Sequence, residues 1–120
     1  MRFLIVDDNA SFLEASRTLL ERHGLTVVGV ASDAATACQR AAELTPDVAL
    51  VDIDLGEESG FDVARQLSDC PGSTHVKVIL ISAHPEDDFA ELVAASPAIG
   101  FIAKSDLSFG SIAQLLDGNG

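Results

Sequence analysis

The chain has 120 residues, 48% of them hydrophobic, and its 19 acidic residues exceed its 7 basic residues, which gives a formal net charge of −12. This length fits one domain with a single core, and the hydrophobic content excludes an intrinsically disordered chain. Because so acidic a surface repels nucleic-acid phosphates and anionic lipids, we expect these residues to contact neither nucleic acid nor a membrane.

Two further observations bear on where the protein acts. The longest apolar runs fall far short of the roughly 20 residues that cross a bilayer, and the N-terminus lacks the apolar segment of a signal peptide. Cys38 and Cys70 form neither a disulfide framework nor a metal-ligand pattern. We therefore expect a cytoplasmic protein.

Five short apolar or β-branched segments predict β-strands, and a helical pattern follows each one. Gly24 is expected to end the first helix, and Ser32 or Asp33 to cap the second. The predicted strands span residues 3–6, 26–30, 48–51, 76–81 and 99–103. The helix residues expected to face inward are, in chain order, Phe12, Leu13, Ser16, Leu19, Leu20, Ala34, Ala37, Cys38, Ala41, Phe61, Ala64, Leu67, Phe89, Leu92, Val93, Ile112, Leu115 and Leu116.

The alternation of strands and helices, without a hairpin signal, predicts an α/β fold. We expect a five-stranded parallel sheet, doubly wound in the flavodoxin-like strand order 2-1-3-4-5, with five helices on its two faces. In such sheets ligands bind outside the carboxyl ends of the strands, at the point where the strand order reverses. The ends of the strands are therefore the place to look for functional residues.

Four of the five predicted strands end in polar residues, namely Asp7 with Asp8, Asp52, Ser82 and Lys104. If the first and third strands are neighbours, the three carboxylates lie within about 5 Å, and each like-charge pair costs roughly 3 kcal/mol at an effective dielectric constant near 20. A hard divalent cation, Mg²⁺ or Mn²⁺, would offset this repulsion and, together with the lysine, balance the three negative charges. Carboxylates, a hydroxyl group and a lysine around such a cation indicate a phosphoryl-transfer site.

Four segments of the chain carry a resemblance to a known family: LIVDDN, VALVDIDLGEESG, ILISAHP and GFIAKSDL. In addition, Asp52 precedes Ser82 by 30 residues and Lys104 by 52 residues. Over essentially its whole length, the chain resembles the receiver domains of two-component response regulators. The segment GFIAKS is further similar to the receivers that precede a helix-turn-helix domain of the LuxR or NarL type.

The resemblance implies a phosphorylation site and a metal site that share residues. Asp52 would accept a phosphoryl group from a phosphohistidine of a sensor histidine kinase, and it would also ligate Mg²⁺. Asp8 would ligate the ion directly and Asp7 mostly through water, while Asp54 would contribute its backbone carbonyl.

The resemblance also implies a conformational switch. Ser82 would donate a hydrogen bond to a phosphoryl oxygen, and Lys104 would pair with the phosphate. Phe101 stands at the position of the aromatic switch, which turns inward when Ser82 moves, although an aromatic residue at a strand end also suits the core. His84 lies where side chains influence the water that attacks the phosphate.

Three positions depart from the pattern of the family. Gly56 replaces a proline four residues after the phosphoacceptor, and Ser105 replaces the proline that usually follows the lysine in a cis peptide. The isomer of the Lys104–Ser105 peptide therefore stays open, because a cis bond before a residue other than proline costs about 2.5–4 kcal/mol. Phe101 lacks the hydroxyl group of the commoner tyrosine.

We interpret residues 1–120 as one receiver domain that controls an output, expected to be a helix-turn-helix DNA-binding domain outside this chain. The expected partners are a sensor histidine kinase and a second copy in a homodimer. An alternative is a stand-alone or phosphate-independent receiver that acts as a protein-binding module, although the complete set of polar strand-end residues argues against phosphate independence.

An enzymatic alternative starts from Asp52 and Asp54, which resemble the acidic pair of haloacid-dehalogenase-type phosphatases. Those enzymes need a longer chain, and the pair Asp7 and Asp8 would stay unexplained. We therefore expect no enzymatic activity beyond the domain's own phosphorylation and dephosphorylation.

Overall fold

A computed structural model gives the fold of the chain and describes residues 1–55, 58–69, 76–84 and 89–118. Strands and helices alternate along it, as predicted. The strands are Arg2–Val6 (β1), Thr26–Ala31 (β2), Val48–Asp52 (β3), Asp54–Leu55 (β4), Glu58–Ser59 (β5), Lys77–Ser82 (β6) and Gly100–Ala103 (β7). The helices are Ala10–Arg22 (α1), Ala34–Leu44 (α2), Gly60–Asp69 (α3), Ala90–Ala95 (α4) and Phe109–Gly118 (α5), with a 3₁₀ helix at Lys104–Asp106.

The main sheet has five parallel strands in the order β2-β1-β3-β6-β7. This order confirms the predicted doubly wound topology, with β1 and β3 as neighbours at the reversal of strand order. Val6 of β1 pairs with Val51 of β3, so the next residues, Asp7 and Asp52, lie side by side at the carboxyl edge. Asp52 in turn pairs with Ile81, the residue before Ser82.

Two hydrophobic clusters cover the two faces of the sheet, because side chains alternate between faces along each strand. Leu4 and Val6 of β1 belong to a cluster with residues of α2 and α3, whereas Phe3 and Ile5 belong to a cluster with residues of α1 and α5. All four side chains are completely buried. This two-sided burial explains why β1 is apolar from Phe3 to Val6, and it fixes the position of the carboxyl edge.

The predicted C-terminal end of the first helix and the predicted cap of the second are confirmed, and the structure adds a cap at the start of the first helix. Asn9 caps α1, since its side chain accepts a hydrogen bond from the Phe12 backbone N–H. Gly24 follows the C-cap of α1 with φ of +79°, a conformation that glycine adopts without strain. Of the two candidates for the second cap, Asp33 is the one that accepts a hydrogen bond, from the Thr36 N–H.

Some features differ from the prediction. β4 and β5 form a two-stranded antiparallel sheet, which two-residue strands are too short to signal in the sequence. Leu92 was expected to face inward, but α4 leaves it 54% exposed because only Phe89 and Val93 in this region turn toward the first cluster. Cys38 is only half-buried and is disulfide-bonded, contrary to expectation, and Cys70 lies outside the described residues.

Among the helices that the structure describes, none is both long enough and apolar enough to cross a bilayer.

Candidate functional site

Three carboxylates meet at the carboxyl edge of the sheet. One oxygen from each of Asp7, Asp8 and Asp52 lies within 4.8 Å of the others. Asp7 is completely buried and Asp52 is 4% exposed, whereas Asp8 is exposed to solvent. The convergence predicted from the strand ends is therefore confirmed, and the cluster opens to solvent on the side of Asp8.

Lys104 directly follows the outermost strand, β7, and lies beside this cluster at the same carboxyl edge of the sheet. Its Nζ atom is 2.8 Å from Asp7 Oδ2 and 3.4 Å from Asp52 Oδ2, and its side chain is 19% exposed. The ammonium group also lies 4.3 Å from the centre of the Phe12 ring. The end of β7 thus brings a cation into direct contact with two of the three carboxylates.

The local environment changes the acidity of both charged partners. Burial, with a further contribution from the negative charge of Asp7, raises the pKa of Asp52 to about 6, although Lys104 and the Asp54 N–H act in the opposite direction. Burial also lowers the pKa of Lys104, but the neighbouring carboxylates Asp7 and Asp52 outweigh it and leave that pKa above its ordinary value. Without a further cation, the site therefore holds more negative charge than one lysine compensates.

The donor atoms fit a hard divalent cation. Asp7 Oδ2 is buried, and Lys104 Nζ lies 2.8 Å from it as its ion-pair partner. One lysine does not balance the three carboxylates whose oxygens converge within 4.8 Å. Carboxylate oxygens are the ligands that Mg²⁺ prefers, and it commonly retains water on its open side, where Asp8 is exposed.

Three other predicted site residues border the cluster. Ser82 is completely buried, and its Oγ atom accepts a hydrogen bond from the His84 N–H at 3.0 Å. Asp52 Oδ1 accepts one from the Asp54 N–H at 3.3 Å. The side chains of His84 and Asp54 are both mostly exposed, and His84 Nε2 lies 3.9 Å from Asp54 Oδ2. These two side chains therefore lie in contact with each other beside the carboxylate cluster.

Phe101 occupies the position predicted for the aromatic switch. It lies on β7, is half-buried, and packs against the first hydrophobic cluster. Its ring centre is 6.4 Å from that of Phe89. The switch role remains a prediction. The Lys104–Ser105 peptide is trans, since no cis peptide occurs in the described chain, and Gly56 falls outside the described residues.

Sequence reasoning missed three residues that shape the site. Phe12 was assigned only to the core, but its ring faces Lys104. Glu58 accepts a hydrogen bond from the Ala34 N–H at 3.1 Å, which ties β5 to the start of α2. A Cβ atom at Gly60 would lie 2.2 Å from the Asp52 backbone oxygen. Only Gly60 left a signal in the sequence, as a glycine at the start of a predicted helix.

Known proteins with similar sequences and structures point to one family. The DNA-binding transcriptional activator EvgA of Escherichia coli K12 is 26% identical over 106 residues, which cover 88% of this chain and 51% of EvgA. A LuxR-family two-component response regulator from Aurantimonas sp. SI85-9A1 superposes with a TM-score of 0.83 and 28% identity, over 98% of this chain and 83% of that chain.

A third similar protein was solved in a phosphorylated form. This response regulator from Burkholderia pseudomallei contains a phosphorylated aspartic acid, a calcium ion and citrate. It matches with a TM-score of 0.83 and 25% identity, over 98% of this chain and 67% of that chain. The present chain spans about half or less of the length of the curated relatives that it matches.

The family model for the response regulator receiver domain matches residues 3–114, almost the full length of the chain. This match agrees with the strand order and with the carboxylate cluster at the reversal point. It leaves the haloacid-dehalogenase-type alternative without support. The chain belongs to the response regulator receiver domain family of two-component systems.

Proposed function

We propose that this receiver domain is a phosphorylation-controlled switch in which Asp52 accepts a phosphoryl group from a sensor histidine kinase. The observation that carries the proposal is the position of Asp52. It belongs to the carboxylate cluster, and its Oδ2 atom lies 3.4 Å from Lys104 Nζ. The similar regulator with a phosphorylated aspartic acid supports the same chemistry.

In the proposed transfer, an Asp52 carboxylate oxygen bonds to phosphorus while the bond between phosphorus and the kinase histidine nitrogen breaks. Lys104 lies close enough to Asp52 to pair with the oxygens of a phosphoryl group attached there. Ser82, at the end of the neighbouring strand, would turn its hydroxyl group from the His84 N–H toward the phosphoryl group. His84, beside Asp54, would modulate the access of water to the acyl phosphate.

The residues proposed to hold Mg²⁺, or Mn²⁺, are Asp7, Asp8 and Asp52, with the backbone carbonyl of Asp54. When bound, the cation would offset the negative charge that these carboxylates share with the incoming phosphoryl group. The convergence of one oxygen from each of Asp7, Asp8 and Asp52 within 4.8 Å supports this assignment, because one lysine does not balance three carboxylates.

Phosphorylation would reach the output through the face of β6, β7 and α5. Added charge at Asp52 would draw Ser82 and Lys104 toward it, and Phe101 would turn inward behind them. The relatives EvgA and the LuxR-family regulator favour an output domain that binds DNA, located outside these 120 residues. A homodimer and a cytoplasmic location are part of the same proposal.

The direct test is to incubate the protein with acetyl phosphate and Mg²⁺ and to measure its intact mass. We expect a gain of one phosphoryl group that requires the cation and disappears in Asp52→Asn. The matched control is Asp62→Asn, which removes an exposed aspartate that pairs with Arg65 on α3 and should keep the full gain. A mass gain that survives Asp52→Asn would exclude Asp52 as the acceptor.

A further inference from the structure

The ring of Phe12 makes a contact with Lys104 that the phosphotransfer chemistry does not require. Lys104 Nζ lies 4.3 Å from the centre of this ring, and Phe12 belongs to the first turn of α1. An ammonium group over an aromatic face is attracted by the negative electrostatic potential of that uncharged ring, and more strongly where water is excluded. The Lys104 side chain is only 19% exposed, so the contact is largely shielded from solvent.

A series of contacts that begins and ends at Asp7 holds the Phe12 ring beside Lys104. Asp7 Oδ1 accepts a hydrogen bond from the Asn9 N–H at 2.8 Å, and Asn9 Oδ1 accepts one from the Phe12 N–H at 3.1 Å. The ring of Phe12 then faces Lys104, whose Nζ atom is 2.8 Å from the other oxygen of Asp7. The first turn of α1 is thereby tied to the same carboxylate that attracts the lysine.

The ring differs in kind from the other partners of the lysine. Asp7 and Asp52 belong to the carboxylate cluster, and a cation held there would weaken their attraction for the ammonium group. Phe12 has no charge to share with such a cation, so its attraction for Lys104 persists in either state. Lys104 would thus stay in the pocket at the moment when a phosphoryl group arrives.

We infer that Phe12 is a positioning residue, whose aromatic face holds the Lys104 ammonium group beside Asp52 for the incoming phosphoryl group. The inference rests on the proposed function of Asp52 and Lys104. Phe12, in the first turn of α1, would thus contribute to phosphoryl binding only through Lys104 and would not contact a phosphoryl oxygen itself.

The first test uses the protein without metal or phosphoryl analogue. The NMR signals of the Lys104 ε-methylene protons are expected to be shifted upfield by the ring current of Phe12. The shift should be lost in Phe12→Leu and kept in Phe12→Tyr. Signals that remain unchanged in Phe12→Leu would overturn the inference, whatever the phosphorylation activity of the protein.

The second test measures the binding of beryllofluoride, a phosphoryl analogue, in the presence of Mg²⁺. Mono-, tri- and pentafluorophenylalanine placed at position 12 keep the shape of the ring but progressively remove the negative electrostatic potential over its face. We expect the affinity to fall stepwise, by about three- to tenfold in total. The matched control is the same series at position 109, where the ring stacks on His23 instead and the affinity should not change.

A Lys104→Met background separates an effect through the lysine from a general effect on the fold. In this background the series at position 12 should leave the remaining affinity unchanged. An affinity that is flat across the series in the native background, or that falls equally with Lys104→Met, overturns the inference and leaves the proposed function intact. Failure of the unmodified protein to bind beryllofluoride overturns the proposed function, and the inference with it.

Discussion

At the scale of single residues, the burial of Asp52 opposes the ionisation of its carboxyl group, on which its proposed role depends. Its carboxylate is almost completely buried beside the buried Asp7, and one lysine does not neutralise both charges. Burial, followed by the negative charge of Asp7, raises the pKa of Asp52 to about 6, although Lys104 acts in the opposite direction. A group that folding makes harder to ionise lowers the stability of the native state at neutral pH. The position proposed to accept the phosphoryl group is therefore one whose ionisation destabilises the native state.

This conflict predicts the pH dependence of stability in the metal-free protein. An unfolded Asp has a pKa of about 3.9, so the stabilisation from proton uptake by folded Asp52 is complete below about pH 4 and is lost as the pH rises through about 6. Asp52→Asn should remove this loss and raise the free energy of unfolding at pH 7 by up to about 3 kcal/mol. Urea denaturation in the presence of a chelator, repeated between pH 4 and 8, measures the free energy of unfolding of both proteins.

The comparison for this prediction is Asp62→Asn, which changes an exposed aspartate of α3. Its stability curve should run parallel to that of the unmodified protein. If Asp52→Asn also runs parallel across this pH range, Asp52 is not the group whose ionisation opposes folding.

At the scale of elements, the start of α3 packs directly on the backbone of Asp52. The Gly60 N–H donates to the Ile53 carbonyl oxygen at 2.8 Å, and Ser59 Oγ accepts from the Phe61 N–H. A Cβ atom at Gly60 would lie 2.2 Å from the Asp52 carbonyl oxygen and 2.6 Å from Ile53 Cα. Helix and strand can approach this closely only because position 60 has no side chain.

Gly60→Ala should therefore destabilise the protein by about 1–3 kcal/mol, as expected when atoms are forced into a packed region. The matched control is Gly110→Ala in α5, where the nearest atom to a new Cβ is Ser108 Oγ at 3.8 Å. Alanine is the better helix former, so this control should be neutral or stabilise by up to about 1 kcal/mol. Thermal unfolding measures both, and equal effects would contradict the close approach at position 60.

At the scale of the whole molecule, the sheet brings several charged side chains together at its carboxyl edge, and the packing of the rest of the fold holds them there. Three strands deliver Asp7, Asp52 and Lys104 to one edge, and the two hydrophobic clusters hold those strands rigidly in register. The carboxylates cannot move apart without breaking that packing. The fold therefore holds three carboxylates together against their mutual repulsion, which the proposed cation would relieve.

Mg²⁺ should accordingly raise the melting temperature of the whole domain. A ligand that binds only the native state adds about 2.7 kcal/mol at a concentration 100 times its dissociation constant. Differential scanning calorimetry with and without millimolar Mg²⁺ measures this gain, and Asp8→Asn should reduce it. Asp106→Asn, at an exposed aspartate of the 3₁₀ helix, serves as the control. Equal melting temperatures with and without the ion would contradict a metal site here.

Local patterns were sufficient to predict the elements that carry the site. Apolar runs that end in Asp7, Asp52 and Lys104 identified three strands, and the Asp33 cap was among the predicted candidates. Leu92 was predicted wrongly, because the helical spacing of apolar residues does not show how far a helix rotates on the sheet. The same limit hid the ring of Phe12 above Lys104, since residues 92 positions apart in the chain share no local pattern.

The order of strands and helices, and the polar residues at the carboxyl ends of the strands, follow from the amino-acid sequence alone, because backbone periodicity is a local constraint. The distances follow only from the folded chain: 4.8 Å among the carboxylates, the ring of Phe12 over Lys104, and the approach of Gly60 to Asp52. Such distances depend on how helices seat on the twisted sheet, and that seating is set by the packing of both clusters at once.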